Sequence, residues 1–387
     1  MTVREPSMYK VLGVEPRATP ETLRRAYRKL ARSHHPDVSD APDAHESMAR
    51  INEAFETLID PARREEYDAG LAGGPRVETR ARREPQQPVV VRLLGRLKAH
   101  ITPVYAVAFE PDSGRLVSSA FDNELVWWSR DGEEVRKGKL DSGVVSSLRC
   151  VAGERLVAAG SSESTVASWV LDKGTLTSTR TSVNEWVSCV AISPDGASVA
   201  AGSIHRILAV APAEGGRFRF RKQAHGDSVT ALAWSSDGRL LASGSADATV
   251  KLWDAATGKH IRTIDRIRST VTAIAFAKDG RLLAAAGADL SIRIFELATG
   301  RLDKMVYGHD KPIETLAFHP NGWLIASGSR DGTIGLWNAT KGIAHVRIKA
   351  SNRPISCVAF STDGLRFAAG GQDRIVRMWE VTAKAST

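Results

Sequence analysis

Cysteine is scarce: the 387 residues hold three, Cys150, Cys189 and Cys357. They lie far apart with no C-x-x-C pair, which excludes a disulfide framework and a cysteine-rich zinc site. The apolar segment around each predicts a buried thiol. No run of about 18 consecutive apolar residues occurs, and the first residues, MTVREPSMYK, lack the apolar core of a signal peptide. No membrane partner is therefore expected, and the expected compartment is the cytoplasm. Neither a G-x-S-x-G elbow nor a G-x-x-x-x-G-K-[ST] phosphate loop is present. No enzyme, no cofactor and no bound metal is expected. Nor does one sign of charge dominate a single region. The formal net charge is +9, yet residues 1–70 carry 11 Lys/Arg against 13 Asp/Glu, a net of −2. The positive excess is diffuse, which favours solubility and weak attraction to anions but defines no groove for nucleic acid.

At this length two or three domains are expected, by the rough allowance of about 150 residues each. The first seventy residues are helical in pattern. Thr19 then Pro20 reads as an N-cap with proline at the first helical position, and Leu23, Ala26, Tyr27, Leu30 and Ala31 recur at helical spacing. A helix from about residue 20 to 32 follows, with Arg24, Arg25, Arg28, Lys29 and Arg32 forming a positive surface away from its apolar stripe. Met48, Ile51, Phe55 and Leu58 mark a second helix over about 43–58, antiparallel to the first. Asp60-Pro61 repeats the cap-plus-proline signal and starts a short last helix through Tyr67. The composition then turns to Gly, Pro, Arg, Glu and Gln, with almost nothing to bury. The expected organisation is a helical domain over 1–72, a basic flexible linker over 73–88, and a third region over 89–387.

That third region repeats. DNELVWW, DATVKLW, DGTIGLW and DRIVRMW end at Trp128, Trp253, Trp337 and Trp379, with Trp169 in a looser copy. The spacings fit a unit near 42 residues, and the intervening equivalent positions are Ala211 and Phe295, which makes seven units. Alternating apolar strands are separated by turns such as Asp237-Gly238, Asp279-Gly280, Asn321-Gly322 and Asp363-Gly364. A period near 42 with four short strands per unit is the signature of an all-β seven-bladed propeller. Val89–Leu94 is a strand without a blade and the seventh unit ends after three strands, so the two can close the ring. The expected fold class is thus multidomain: an all-α hairpin, a linker, and an all-β propeller.

Between the two long helices stands His35-Pro36-Asp37. Proline forbids helix continuation and drives His35 toward an extended conformation, so the loop holds an imidazole and a carboxylate beside the basic helix. The alternatives are an ordinary hydrogen-bonded loop, or a metal site from His34, His35, Asp37 and His45, which one short loop seldom closes into a tetrahedral shell. MYKVLGVEPRATPETLRRAYRKLARSHHPDV followed by ARINEAFETLIDPARREEYD resembles a complete J-domain over about residues 7–70. In that family the His-Pro-Asp loop and the basic helix dock on a DnaK-type (70-kDa heat-shock) chaperone and trigger its ATPase. The resemblance implies that His35, Pro36 and Asp37 form the trigger, with Arg24, Tyr27, Arg28 and Lys29 on the docking face. His34 stands where the family often has tyrosine.

In the most regular repeat, His225, Ser243, Asp247 and Trp253 could be misread as a catalytic triad. They resemble the structural tetrad of the WD-repeat family and recur at His309, Ser327, Asp331 and Trp337, and partly at His100, Ser118, Asp122 and Trp128; a catalytic set would occur once. Blade two has Glu163 for the aspartate, blade three has His205 there and Ala211 for the tryptophan, and blade five has Phe295 and no histidine. These blades are expected to be less rigid. Arg217-Phe218-Arg219-Phe220-Arg221-Lys222 could be a nucleic-acid stripe, but the favoured reading is an outer strand with phenylalanines inward. Loops before the first strand and after the second emerge at one end of a propeller. That register assigns Tyr105, Phe121, Trp186, Ile204, Glu314 and Arg330 to a partner-binding face. The expected function is a monomeric co-chaperone whose propeller chooses client or partner proteins. A scaffold without chaperone activation and, behind it, a nucleic-acid adaptor are the alternatives.

Overall fold

A computed structural model of the chain describes residues 7–16, 18–33, 50–51, 54–55, 57–58, 64, 67–68, 89–140, 144–153, 155–162 and 164–383. The chain divides into two compact units, Met1–Gln86 and Gln87–Thr387. In the first, helix α1 (Met8–Leu12) is capped by Ser7, whose Oγ accepts from the Lys10 N–H, and is closed by Gly13 at φ 64°. Helix α2 spans Pro20–Ser33. Its start is the expected cap: the Thr19 hydroxyl accepts from the Thr22 N–H at 3.3 Å and the Thr19 carbonyl from the Leu23 N–H at 3.0 Å. Leu23, Ile51, Ala54, Phe55 and Leu58 bury together with Tyr9 and Leu12. The apolar stripe read from the sequence is therefore the core of the hairpin. The expected linker, residues 73–88, lies outside the described residues.

The second unit consists of seven four-stranded antiparallel sheets. Six are meanders in chain order, starting with innermost strands Val104–Phe109, Val144–Val151, Val187–Ile192, Val229–Trp234, Val271–Phe276 and Ile313–Phe318. We number these blades one to six. Blade seven joins Ile355–Phe360, Arg366–Gly371 and Val376–Ala383 to Val89–Leu97, the first strand of the unit. Val89 pairs with Ala383 and Leu97 with Val376, so the ring closes by hydrogen bonds between its two ends. The turns read from Asp-Gly and Asn-Gly pairs link first to second strands. Gly238, Gly280, Gly322 and Gly364 take φ between 70° and 82°, a region open to glycine at little cost.

One apolar cluster fills each blade-to-blade seam, and the seam between blades seven and one holds Leu97, Val376 and Met378 against Val104, Phe109 and Trp128. The tetrad-position rings Trp253, Phe295, Trp337 and Trp379 are each 4% exposed or less. Burying one such ring removes about 200 Å² from water, worth ~5 kcal/mol against the unfolded chain. Ring contacts reinforce the seams: Phe367 stacks on Trp379 with centroids 4.7 Å apart. Cys150 and Cys357 are buried and Cys189 half-buried, all as free thiols. Burial pushes the Cys357 thiol up to about 12. Among the described residues no helix is long and apolar enough to cross a membrane.

Candidate functional site

In the helical unit the trigger residues His35, Pro36 and Asp37 lie outside the described residues. Arg24, Arg28 and Lys29 belong to α2, as the periodicity required, and Arg25 on the same helix is exposed. Tyr27, expected on the docking face, is half-buried, and its ring stacks on Phe55 with centroids 4.2 Å apart and planes 16° apart. Its ring therefore also packs α2 against Phe55, as its place in the apolar stripe had implied; most of the second and last helices expected over 43–58 and 60–67 lies outside the described residues.

A residue that the sequence reading passed over fixes this unit. Arg64 donates from Nη1 to the Ala18 carbonyl and from Nη2 to the Pro16 carbonyl, both at 2.8 Å, and from Nε to the Tyr9 hydroxyl at 3.1 Å. Tyr9 in turn donates to Asp68 at 2.8 Å, and the Met8 N–H to the Tyr67 hydroxyl at 2.9 Å. Burial first, then the bond to Asp68, raises the Tyr9 hydroxyl above its ordinary value. Arg64, Tyr67 and Asp68 are thus stapled to the segment from Met8 to Ala18, beside the start of α2. Arg64→Ala strands two carbonyls and a hydroxyl, and is expected to lower stability by about 2–3 kcal/mol. Urea melts of the wild-type and variant helical unit check this; no change in midpoint would remove Arg64 from the scaffold.

Among the described residues of the propeller three tetrads are complete. Trp253 Nε1 donates to Ser243 Oγ at 2.8 Å, Ser243 contacts His225 Nε2 at 2.7 Å, and His225 Nδ1 contacts Asp247 at 3.0 Å. In blade six the same chain runs Trp337, Ser327, His309, Asp331 at 2.7, 2.6 and 3.2 Å. In blade one it runs Trp128, Ser118, His100, Asp122 at 2.8, 2.9 and 3.3 Å. A carboxylate only accepts, so Nδ1 donates to it, Nε2 accepts from serine, and serine accepts from tryptophan. The serine oxygen thus sits at the centre of a buried relay, joined to both the indole and the imidazole. Burial holds the His100 and His225 imidazoles below their ordinary value despite the pull of Asp122 and Asp247. Burial alone would raise the Asp331 carboxyl, but hydrogen bonds from His309, Thr333 and the Asp310 N–H outweigh it and hold it well below the carboxylate range.

The register corrects one alignment. In blades one, four and six the tetrad tryptophan pairs across to Leu116, Leu241 and Ile325. In blade two that place belongs to Leu171, opposite Leu156, while Trp169 stands two residues earlier, opposite Ala158. A two-residue offset keeps the ring on the same face, so Trp169 is still buried and the spacing from the sequence looked regular. Glu163 lies outside the described residues. Blade three is apolar where the tetrad would be, with Val183 and Ala201 buried, and its His205 turns outward to Glu185 at 2.7 Å.

Blades five and seven use a different device. Arg293, 4% exposed, reaches Asp289 at 2.6 Å, and Arg377, 5% exposed, reaches Asp373 at 2.5 Å. The buried guanidinium replaces histidine as the partner of the turn aspartate, so blade five keeps a satisfied polar network. The sequence carries the signal as an arginine four residues after the aspartate, in DLSIR and DRIVR.

The expected partner face is built as follows. The Phe121 N–H donates to the Pro103 carbonyl at 3.2 Å, Ile204 to Trp186 at 3.0 Å, and Arg330 to Pro312 at 3.0 Å. Phe121, Ile204 and Arg330 are therefore equivalent positions at one end of the propeller. Trp186 is the equivalent of Pro103 and Pro312; Tyr105 and Glu314 stand two residues further along, level with Ser188. Trp186 is 57% exposed, Phe121 56% and Ile204 42%. Tyr105 packs on Phe121 with centroids 6.5 Å apart, and Glu314 pairs with Arg330. These pairs sit in blades one, three and six, with other blades between them. In the Arg217–Lys222 segment Phe220 is buried, Phe218 packs against the core, and Arg217, Arg219 and Arg221 are exposed. The rings are packed inward, as favoured from the alternation.

Comparison with known families matches residues 7–68 to the DnaJ domain. The WD domain, G-beta repeat, matches residues 91–129, 174–209, 216–254, 258–296, 300–338 and 344–380. Residues 130–173, which include the first three strands of blade two, fall between those matches. The first unit is similar to the protein named "Chaperone protein DnaJ" of Carboxydothermus hydrogenoformans, 56% identical over 67 residues, covering 17% of this chain and 18% of that one. It is also similar to "Chaperone protein DnaJ 1" of Aquifex aeolicus, 52% identical over 64 residues, 16% of this chain and 18% of that one. With the DnaJ of Leifsonia xyli it shares 47% identity over 66 residues, again 17% and 18%. The chain spans less than a fifth of the length of these relatives.

Proposed function

The chain belongs to the WD-repeat family and carries a DnaJ domain at its N-terminus, and from that premise we propose that it is a co-chaperone for a DnaK-type partner. The observation that carries the reading is the 56% identity to a DnaJ chaperone over 67 residues, set beside a propeller with an exposed aromatic face. In this reading His35, Pro36 and Asp37 trigger ATP hydrolysis, the α2 residues Arg24, Arg28 and Lys29 supply charge for docking, and Tyr27 holds that helix in place. The propeller delivers client or partner proteins in the cytoplasm. The test is single-turnover ATP hydrolysis by a DnaK-type chaperone with and without the full chain. Acceleration supports the proposal, and an unchanged rate overturns it in favour of a scaffold.

Client capture is assigned to the face of Tyr105, Phe121, Trp186, Ile204, Glu314 and Arg330. Exposed aromatic side chains carry a disproportionate share of interface energy. Trp186→Ala combined with Phe121→Ala is expected to abolish recovery of proteins that the wild-type chain captures, with the melting temperature and ATPase stimulation unchanged. Retained capture by the folded double variant would move the client site off this face.

A further inference from the structure

Among the described residues each of the seven outer strands ends its sheet. The outer edge of a sheet offers its backbone to another strand, and folds blunt it with charge, bulges or brevity. Most outer strands here follow that rule. Glu134–Lys139 carries Arg136 and Lys137, Ile343–Lys349 carries Arg347 and Lys349, and both meet their neighbours through a bulge, as do the outer strands of blades four, five and seven. The blade-three strand, Phe220–Gln223, has four residues and two charges.

Blade two departs from this. Its outer strand Thr175–Ser182, TLTSTRTS, has eight residues, one charge and no proline. All eight pair with Thr165–Asp172 in one unbroken register. Only Thr179 and Thr181 are half-buried; the other six are exposed. The unbroken register puts Thr175, Thr177, Thr179 and Thr181 on one face and Leu176, Ser178, Arg180 and Ser182 on the other.

We propose that this edge docks a second copy of the chain, antiparallel, strand against strand. A two-fold axis through an antiparallel pair stands perpendicular to the sheet, so residues of the same face oppose one another. With the axis at Ser178, Thr177 meets Thr179 of the second copy and Thr175 meets Thr181. With the axis at Thr179, Thr177 meets Thr181 and Thr179 meets itself. Threonine faces threonine in either register, a favourable cross-strand pair. Arg180 meets Leu176 or Ser178, so like charges never oppose. On blade one the same operation sets Arg136 or Lys137 directly against its own copy. The choice of a second copy over another extended segment rests on this self-complementarity. It replaces the monomer expected from the sequence and is independent of the co-chaperone reading. One eight-residue edge is a small contact, so association depends on concentration.

Sedimentation velocity of the full chain over a wide concentration range is expected to show the mass rising from one copy toward two. Leu176→Lys with Thr177→Lys puts one charge on each face of the edge and is expected to hold the chain at one copy with its melting temperature unchanged. A second measurement does not depend on that variant: Ser178→Cys and Thr179→Cys each place a thiol on one of the two axes. One of them is expected to give a covalent dimer under mild oxidation. A wild type that stays at one copy, a folded lysine variant that still associates, or failure of both cysteine variants to cross-link would each overturn the proposal. A wild type that stays single would leave the edge to a different chain.

Discussion

Full chains carrying His35→Gln or Asp37→Asn are expected to leave a DnaK-type chaperone at its basal rate of ATP hydrolysis, while the wild-type chain accelerates it. Both substitutions keep size and polarity but change what the loop can offer: glutamine lacks the imidazole, and asparagine lacks the charge. A proline disfavours helical backbone in the residue before it, which lowers the entropy that residue loses on docking. Losing even a tenfold stimulation corresponds to about 1.4 kcal/mol of transition-state stabilisation. The fold is expected to survive, because the hairpin is held by Tyr27 on Phe55 and by Arg64 on Pro16, Ala18 and Tyr9. Circular dichroism melts of the variants check that condition. Equal stimulation by wild type and both variants would sink the assignment of the trigger.

The second large effect is on stability. Asp331 accepts from His309 Nδ1 at 3.2 Å, the Asp310 N–H at 2.9 Å, and the Thr333 N–H and hydroxyl at 2.7 and 2.6 Å. Arg347 adds a contact at 3.2 Å. The Asp331 side chain is 6% exposed, so Asp331→Ala leaves several donors without a partner where water does not reach. A loss of about 3 kcal/mol is expected. His205→Ala removes a group 63% exposed and paired with one carboxylate, so its cost is expected within about 0.5 kcal/mol. Thermal melts in the reverse order would refute the tetrad's role.

Acid should expose the same network. His100 and His225 are held below their ordinary value in the folded chain. The unfolded chain therefore binds protons there first, and stability falls as pH drops below about 6.5. Asp331, Asp247, Asp289 and Asp373 are depressed as well. Their contribution is present above about pH 4 and is lost as pH falls below it. Melts between neutral pH and pH 3 check this, and a flat profile across both ranges would contradict it.

Much of this architecture was legible in the residues because local chemistry agreed with the global fold. Thr19-Pro20 placed the start of α2, and the 42-residue period with Asp-Gly turns placed the blades. Helix α1 escaped because five residues are too few for a period to show. The offset of Trp169 from the tetrad position escaped because a strand repeats every two residues, so a slip of two preserves burial. Counting along the chain cannot detect it; pairing across the sheet can.

The sequence by itself determined the helical character of the first part, the number of blades and three of their polar relays, since each rests on a pattern within one helix or one repeat. Only the tertiary structure decided what depends on neighbours distant in the chain. Val89–Leu97 completes blade seven because its hydrogen bonds go to Val376–Ala383, nearly three hundred residues away. Arg293 and Arg377 take over from histidine because the fold buries each guanidinium against the turn aspartate four residues earlier. Phe121 and Trp186 are surface groups rather than core because the seams beneath them are already filled, and that is a property of the packed ring.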